Sequence, residues 1–455
     1  MELSGKRVLV VGLGKTGQAV ARFLLERGAR VKVSEKRKLE DVDPSGRSWA
    51  ERGVAVEAGG HRLESFLQTD LIVPSPGVPP LCAELRAARE KKIPVLSEVE
   101  LAFRFLKGTV AGVTGSCGKS TTVTLAHKIL REAGQPSFLA GNIGRPLISF
   151  VAKSRPHHIY VTELSSFQLY YIEEFRARVA AFLNISLNHM DWHPTFEDYY
   201  DTKKRLILGQ RPGDTAILNR DDPRVWALSS KAASTVLGFS RAKRVSRGAC
   251  LDQDKIILVG EESEPLMDIR QIPLPGVHNQ ENIMAAALVG RALGVPPASM
   301  SRSIRTFAGL EHRLEKVAVI RGVTFVNDSK ATTVNAAFKA VQSFKQKIVL
   351  ILGGRDKGDD FTLLRGLLKR QARRVILIGE AKEKIKAALR GSAPLEEART
   401  MKEAVSLGFQ AASRGDVVLL APACASFDMF RNFEERGRVF KRDVLRLARS
   451  WKVKP

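Results

Sequence analysis

Apolar residues in this chain come in short blocks, each separated by a glycine-rich or polar turn from a stretch of helical periodicity. This is the rhythm of strand, turn and helix along an open parallel sheet. The first block, Arg7–Val11, leads through Gly12-Leu13-Gly14-Lys15-Thr16-Gly17 into a helix predicted from Gln18 to Glu26. Arg30–Val33 running to Glu35, Asp70–Val73 running into Pro74-Ser75-Pro76-Gly77, and Ile93–Leu96 complete a Rossmann-like unit over residues 1–98. A second series begins with an apolar strand at 110–114, a glycine-rich turn and a helix from Thr121 to Leu130. In it His158–Val161 runs to Glu163 and Val179–Ile185 runs to Asn188-His189, giving a central P-loop-type mononucleotide-binding α/β domain over 99–309. The strands Val323–Val326, Lys347–Leu352, Arg374–Ile378 and Asp416–Leu420 predict a second Rossmann-like domain over 310–455. The expected fold is therefore α/β with three domains, in keeping with a 455-residue chain too long for one core.

Composition narrows the class without naming a function. The hydrophobic fraction of 44% and charged fraction of 27% are those of a globular protein, and no apolar run approaches a membrane span. Cys82, Cys117, Cys250 and Cys424 are scattered without metal-ligand spacing, and the chain enters its first strand with no signal peptide ahead of it, so a cytoplasmic location is expected. The net charge of +25 comes without a basic tail, zinc-finger spacing or an aromatic–basic signature. The expectation is no nucleic-acid partner and a positive field that attracts phosphorylated substrates.

The candidate chemistry sits at strand ends. In Gly115-Ser116-Cys117-Gly118-Lys119-Ser120-Thr121 the backbone N–H groups can cradle phosphates at a helix N-terminus, with Lys119 as a point charge and the Ser120 hydroxyl placed for Mg²⁺. The loop is shorter than the general P-loop, which would need glycine where Val113 stands. Glu163 and His189, each ending an apolar strand, suit metal coordination beside a triphosphate. Gly12-x-Gly14-x-x-Gly17 followed by Glu35 is by itself a dinucleotide fingerprint and makes an NAD-dependent dehydrogenase the alternative, against which the second phosphate loop argues. Tyr199–Arg205 reads from spacing alone as an exposed basic helical face. Asn279 and Asn282 share a helical face, as base readers or as a cap. In the last domain the polar clusters 327–333, 353–358 and 422–426 follow three strands and suggest a substrate crevice.

Taken together, Gly-Ser-Cys-Gly-Lys-Ser at 115–120, Glu-Leu-Ser-Ser-Phe-Gln at 163–168, His-Asn-x-x-Asn at 278–282, Asn-Asp-Ser-Lys-Ala-Thr at 327–332 and Ser-Phe-Asp-Met-Phe-Arg-Asn-Phe at 426–433 resemble the Mur ligases. These are the ATP-dependent amide-forming enzymes of peptidoglycan synthesis, and the resemblance covers essentially the whole chain. The cluster at 327–332 is similar to the branch that adds D-glutamate to UDP-N-acetylmuramoyl-L-alanine through an acyl phosphate. A sister ligase for another amino acid is the nearer alternative.

The resemblance implies ATP and two Mg²⁺ ions, with Ser120 and Glu163 on one ion, His189 on the other, and Lys203 carbamylated close to both. It implies Gly115, Ser116, Gly118, Lys119, Ser120, Thr121, Asn279, Asn282, Arg313 and Asp328 around ATP. For the UDP-sugar it implies Lys15, Thr16, Glu35, Lys36, Arg37, Ser75, Gly77, Asn142 and Gln168. For D-glutamate it implies Lys330, Thr332, Lys357, Ser426 and Phe433, in a monomer. Cys117 and Asn188 depart from the family's usual asparagine and aspartate at their positions.

Overall fold

The structure is a computed structural model that describes residues 1–42, 48–49, 54–190, 192–274 and 276–452. Its residues group into two compact units, Met1–Pro273 with Val277–Phe307, and Leu274–Gly276 with Ala308–Pro455.

The first unit holds two sheets. Strands β1 (Arg7–Val11), β2 (Arg30–Glu35), β3 (Ala55–Ala58) and β4 (Leu71–Pro74) form an all-parallel sheet in the order β3-β2-β1-β4. Val8 to Val11 of β1 are all buried, as a central strand covered on both faces requires. Val11 is level with Ser34 and Pro74, so Gly12, Glu35 and Ser75 emerge side by side at the point where strand order reverses.

Helix α1 runs over Lys15–Glu26, three residues earlier than predicted. The glycine that suggests a turn, Gly17, lies inside the helix, where a Cβ would come within 1.9 Å of the Gly12 carbonyl oxygen. Its absence lets helix and strand meet. The predicted strand at 93–96 is reduced to a single parallel bridge between Val95 and Ile72, because Pro94 has no N–H to extend the ladder.

The second sheet has nine strands, β5 (Thr109–Thr114), β6 (Ser137–Gly141), β7 (Ile159–Glu163), β8 (Val179–Phe182), β9 (Thr215–Asn219), β10 (Thr235–Ser240), β11 (Gly248–Asp252), β12 (Lys255–Val259) and β13 (Glu264–Asp268). Their order is β13-β12-β11-β10-β9-β8-β5-β7-β6, with every neighbouring pair parallel except β11–β12 and β12–β13. β5 lies between β7 and β8, with Val113 level with Glu163 and Thr114 level with Phe182. Helix α2 (Lys119–Glu132) leaves the end of β5, α3 (Phe196–Leu208) follows β8, and α4 (His278–Ala292) packs on α2. Buried residues of both sheets share one core, in which Phe23 of α1 meets Phe105 edge-on at 5.3 Å and the Arg27 guanidinium lies over both rings.

The second unit has strands β14 (Glu315–Ile320), β15 (Val323–Asn327), β16 (Ile348–Gly353), β17 (Ala372–Ile378), β18 (Leu395–Glu397) and β19 (Val417–Leu420) in the order β14-β15-β19-β16-β17-β18. All but β14 are parallel. β16 is buried from end to end, and two apolar layers cover the faces of the sheet. The chain closes with α5, Phe433–Lys452.

Candidate active site

Gly115 (φ 152°) and Gly118 (φ 86°) shape the loop between β5 and α2. A Cβ on Gly118 would lie 2.1 Å from Asn282 Oδ1, so the position requires glycine for space as well as for its left-handed backbone. No side chain caps α2, which leaves its first N–H groups for an anion. Lys119 curls back over the loop, its Nζ donating to the carbonyls of Gly115 (2.8 Å) and Ser116 (3.1 Å).

The segment after β8 clamps the loop from the other side. The Cys117 N–H donates to Asn184 Oδ1 (2.8 Å) and Asn184 Nδ2 donates to the Cys117 carbonyl (3.2 Å). Ser116 Oγ receives the Ser186 N–H at 2.9 Å. The cysteine side chain is exposed, so the departure from asparagine leaves the backbone cradle intact. Asn282 Nδ2 donates to Asn279 Oδ1 (3.0 Å), which brings both α4 asparagines against the loop side of the helix pair.

Glu163 is only 2% exposed. Its Oε1 accepts from Asn142 Nδ2 at 2.8 Å, while its buried Oε2 has no hydrogen-bond partner. A buried carboxylate oxygen in this position suits a cation. Lys203 corrects the reading from spacing alone. It is 1% exposed, and its Nζ donates to Thr114 Oγ1 (3.2 Å) and the Gly115 carbonyl (3.1 Å). Burial, then the Lys119 charge, push its pKa well below that of an ordinary lysine, with Glu163 opposing them. Lys204 turns outward to Asp201 at 2.6 Å, so the register of α3 selects Lys203.

His189 has a left-handed backbone (φ 58°), and its ring stands edge-on to Phe167 at 4.8 Å. Tyr199 was not singled out from the sequence, yet it joins these parts. Its Oη lies 3.0 Å from Ser116 Oγ, Lys203 Nζ lies 4.9 Å from its ring centre, and the His189 ring is 6.2 Å away. The i, i+4 spacing of Tyr199 and Lys203 on a helix was the available signal. Tyr199→Phe is expected to cost about 1 kcal/mol of stability, measured by thermal unfolding.

Nearby, Ser166, His193 and Asp198 line up as in a hydrolase triad, with His193 2.9 Å from Ser166 Oγ and 2.6 Å from Asp198 Oδ2. Ser166 is 1% exposed, so the trio orients the segment after β7 rather than attacking a substrate. Gln168 caps that segment. Its Oε1 accepts from the N–H and hydroxyl of Ser165.

In the first sheet, Glu35 braces the turn that carries Lys15 and Thr16. Its carboxylate accepts the Leu13 N–H (2.7 Å), the Arg37 N–H (3.0 Å) and the Arg37 guanidinium. Burial would raise its pKa, but these donors hold it down at about 2. Ser75 Oγ donates to the Gly12 carbonyl at 3.1 Å, and Gly77, Lys36 and Arg37 lie exposed around the same strand ends.

The second unit brings its three predicted clusters together. The Ala423 N–H donates to the Ala331 carbonyl (2.9 Å), and Arg355 and Ala425 exchange backbone bonds at 2.9 and 3.0 Å. Lys330 Nζ lies 6.0 Å from the Phe433 ring, Ser426 is buried, and Lys357 is exposed at the rim. The tie between the clusters is Arg436, which the sequence reading missed. It is 2% exposed, and its guanidinium donates to Ser329 Oγ (3.0 Å) and to the carbonyls of Ser329 (2.9 Å), Cys424 (3.1 Å) and Ala425 (3.3 Å). Asn327 Nδ2 lies 3.0 Å from both His312 Nδ1 and Glu315 Oε2. Glu311, His312 and Glu315 have metal-like proximity, but the Lys441 ammonium already bridges the two glutamates.

Burial raises Asp328 to about 6, against the pull of Arg313, the Leu314 N–H and Lys330. Because its folded pKa exceeds the unfolded value, its contribution is fully present below about pH 4 and is lost as pH rises through 6. Asp328→Asn is therefore expected to unfold at higher denaturant than the parent at pH 8, and to lose that advantage at pH 4.

Comparison with known proteins agrees with this geometry. Residues 6–97 match the Mur ligase MurD-like N-terminal domain, 113–290 the Mur ligase middle domain, and 312–424 the Mur ligase glutamate ligase domain. The UDP-N-acetylmuramoylalanine–D-glutamate ligase of Acidobacterium capsulatum is 47% identical over 99% of both chains, and that of Koribacter versatilis is 44% identical over 99% of this chain and 100% of its own. Among solved structures, UDP-N-acetylmuramate-alanine ligase from Thermotoga maritima matches with a TM-score of 0.59 at 17% identity, over 98% of this chain and 100% of its own. A pseudomurein peptide ligase from Methanothermus fervidus matches at 0.57 and 17%, over 97% of this chain and 100% of its own. With three domain matches in series, full-length relatives, a shared α/β fold and a phosphate loop facing a bare buried carboxylate, the chain belongs to the Mur ligase family.

Proposed function

We propose that this chain joins the carboxylate of UDP-N-acetylmuramoyl-L-alanine to the amine of D-glutamate at the expense of ATP. The observation that carries the chemistry is the partnerless Glu163 Oε2 beside the phosphate loop. The choice of D-glutamate is supported by full-length relatives of that name at 41–47% identity. The substrate carboxylate attacks the γ-phosphorus as the bond to ADP breaks. The D-glutamate amine then attacks the acyl carbon, forming the amide and releasing phosphate as the C–O bond breaks.

On this reading the α2 N–H groups and Lys119 take up the charge of the transferring phosphoryl group. Ser120, Glu163 and His189 offer the donor set for two Mg²⁺ ions, which when bound neutralise phosphate charge. Burial and the Lys119 charge favour the neutral amine of Lys203, the form that adds CO₂ with loss of a proton to give a carbamate. Asn279, Asn282, Arg313 and Asp328 contact the nucleotide. Lys15, Thr16, Lys36, Arg37, Ser75 and Gly77 hold UDP, with Glu35 shaping the turn, and Asn142 and Gln168 meet the sugar side. Lys330, Thr332, Lys357, Ser426 and Phe433 receive D-glutamate, whose two carboxylates suit lysine and hydroxyl donors. The enzyme works as a cytoplasmic monomer.

The test is phosphate release from ATP that requires both UDP-N-acetylmuramoyl-L-alanine and D-glutamate. Full turnover with another amino acid would overturn the specificity, and NAD reduction without ligase activity would overturn the reaction class.

A further inference from the structure

The positive charge is unevenly placed. Residues 310–455 hold 30 Lys and Arg against 16 Asp and Glu, more than half of the chain's surplus of 25 in a third of its length. Strands β15, β19, β16, β17 and β18 all start at one pole of the second unit and end at the other. The pole where they end carries the candidate substrate clusters and acids such as Asp328, Asp356 and Asp428.

At the starting pole, Arg321, Lys345, Lys369, Arg370, Arg390 and Arg414 are all exposed in the turns and helix ends that lead into the strands. Two acids in the same strand starts, Asp416 and Glu396, are each taken by an arginine, at 2.5 Å from Arg373 and 2.6 Å from Arg374. Helix α5 adds Arg449 to this end, since Trp451 lies 4.2 Å beneath the Arg321 guanidinium. Much of the surplus charge of this unit therefore sits away from its candidate substrate clusters. Helix C-termini at the pole account for part of it, but each offsets only about half a charge, and Arg321 and Arg414 lie on turns.

We propose that this pole docks on an anionic lipid surface. Among the described residues no exposed aromatic ring stands at this pole to stack on a base, because Trp451 is packed between Arg321 and Phe409. Leu445, 44% exposed, lies on α5 one helical turn before Arg449 and adds an apolar side chain beside these cations. No described helix is long and apolar enough to cross a membrane, so the contact is peripheral.

The experiment is flotation of the full chain with phosphatidylcholine vesicles, with and without phosphatidylglycerol. A pole variant (Lys345→Gln, Lys369→Gln, Arg370→Gln, Arg390→Gln, Arg414→Gln) is compared with a variant losing the same charge elsewhere (Arg86→Gln, Lys91→Gln, Arg155→Gln, Arg178→Gln, Lys231→Gln). Substrate-dependent phosphate release reports that both remain folded. The expected result is binding that needs phosphatidylglycerol, weakens with salt, falls about tenfold or more in the pole variant and stays within about threefold in the other. Equal losses in the two variants, no vesicle binding by the parent, or tighter retention of duplex DNA or RNA than of vesicles at physiological salt would each overturn the proposal.

Discussion

Lys203→Ala is expected to lower kcat by about 10²–10³-fold while the protein remains folded, because an electrostatic element next to the transferring phosphate is lost. The amine is walled in by Thr114, Gly115 and the Tyr199 ring and lies in the field of both Lys119 and Glu163. An ammonium buried against two neutral oxygens and repelled by Lys119 is a poor structural element, whereas a carbamate there would add negative charge beside the phosphate loop. Short-chain carboxylic acids are then expected to restore part of the lost rate in Lys203→Ala, as added acid fills the space and supplies the charge. Lys204→Ala, losing only a surface pair with Asp201, should stay within about threefold of the parent. Initial rates with and without added acid decide the matter. No rescue, together with equal damage from Lys204→Ala, would count against the assignment.

Arg436→Ala is expected to destabilise the second unit by about 3–5 kcal/mol, near the top of the range for single substitutions. The guanidinium is desolvated enough that its pKa falls to about 10, yet it satisfies Ser329 Oγ and the carbonyls of Ser329, Cys424 and Ala425. Truncation takes this donor from the buried carbonyls of Ser329 and Cys424, each worth about 1–3 kcal/mol, while the Ala425 carbonyl keeps the Arg355 N–H. Gly354 fits beneath the same group, since a Cβ there would stand 2.2 Å from the Ala425 carbonyl and 3.2 Å from Arg436 Nη1. Denaturant unfolding measures the stability. Because the loops carrying Lys330 and Ser426 are both pinned by this side chain, KM for D-glutamate should rise at temperatures where the variant is still folded.

The strand–turn–helix blocks were legible because buried parallel strands demand unbroken apolar runs and their exits demand glycine. Residues 7–17 and 110–120 show both signals at once. The stretch from 215 to 268 was not legible. Its β11–β13 ribbon pairs antiparallel at the margin of the sheet, and its half-buried strands mix exposed with apolar positions. Side-chain placements were readable where a residue sits next to a turn, as at Lys119, Ser120 and Glu163. They were hidden where the partner is distant in sequence. Nothing near Arg436 announces that it must serve Ser329, and nothing near Glu35 announces that its carboxylate will be occupied by Leu13 and Arg37. Lys203 misled for a related reason, since a lysine facing inward disturbs the polar pattern of α3 just as a surface lysine would.

Glu100 lies fully buried and receives the backbone N–H groups of Glu173, Glu174 and Phe175, as well as the Arg104 side chain. One carboxylate thus stitches the segment joining the first two sheets to the loop leaving the third strand of the second, alongside the backbone bond from Ser97 to the Tyr171 carbonyl. The consequence is mechanical. A flexible spacer inserted at residue 98 will not release two independent modules but will unbutton a shared seam, and recombining this N-terminal segment with the middle domain of a distant relative will succeed only if the seam is transplanted with it.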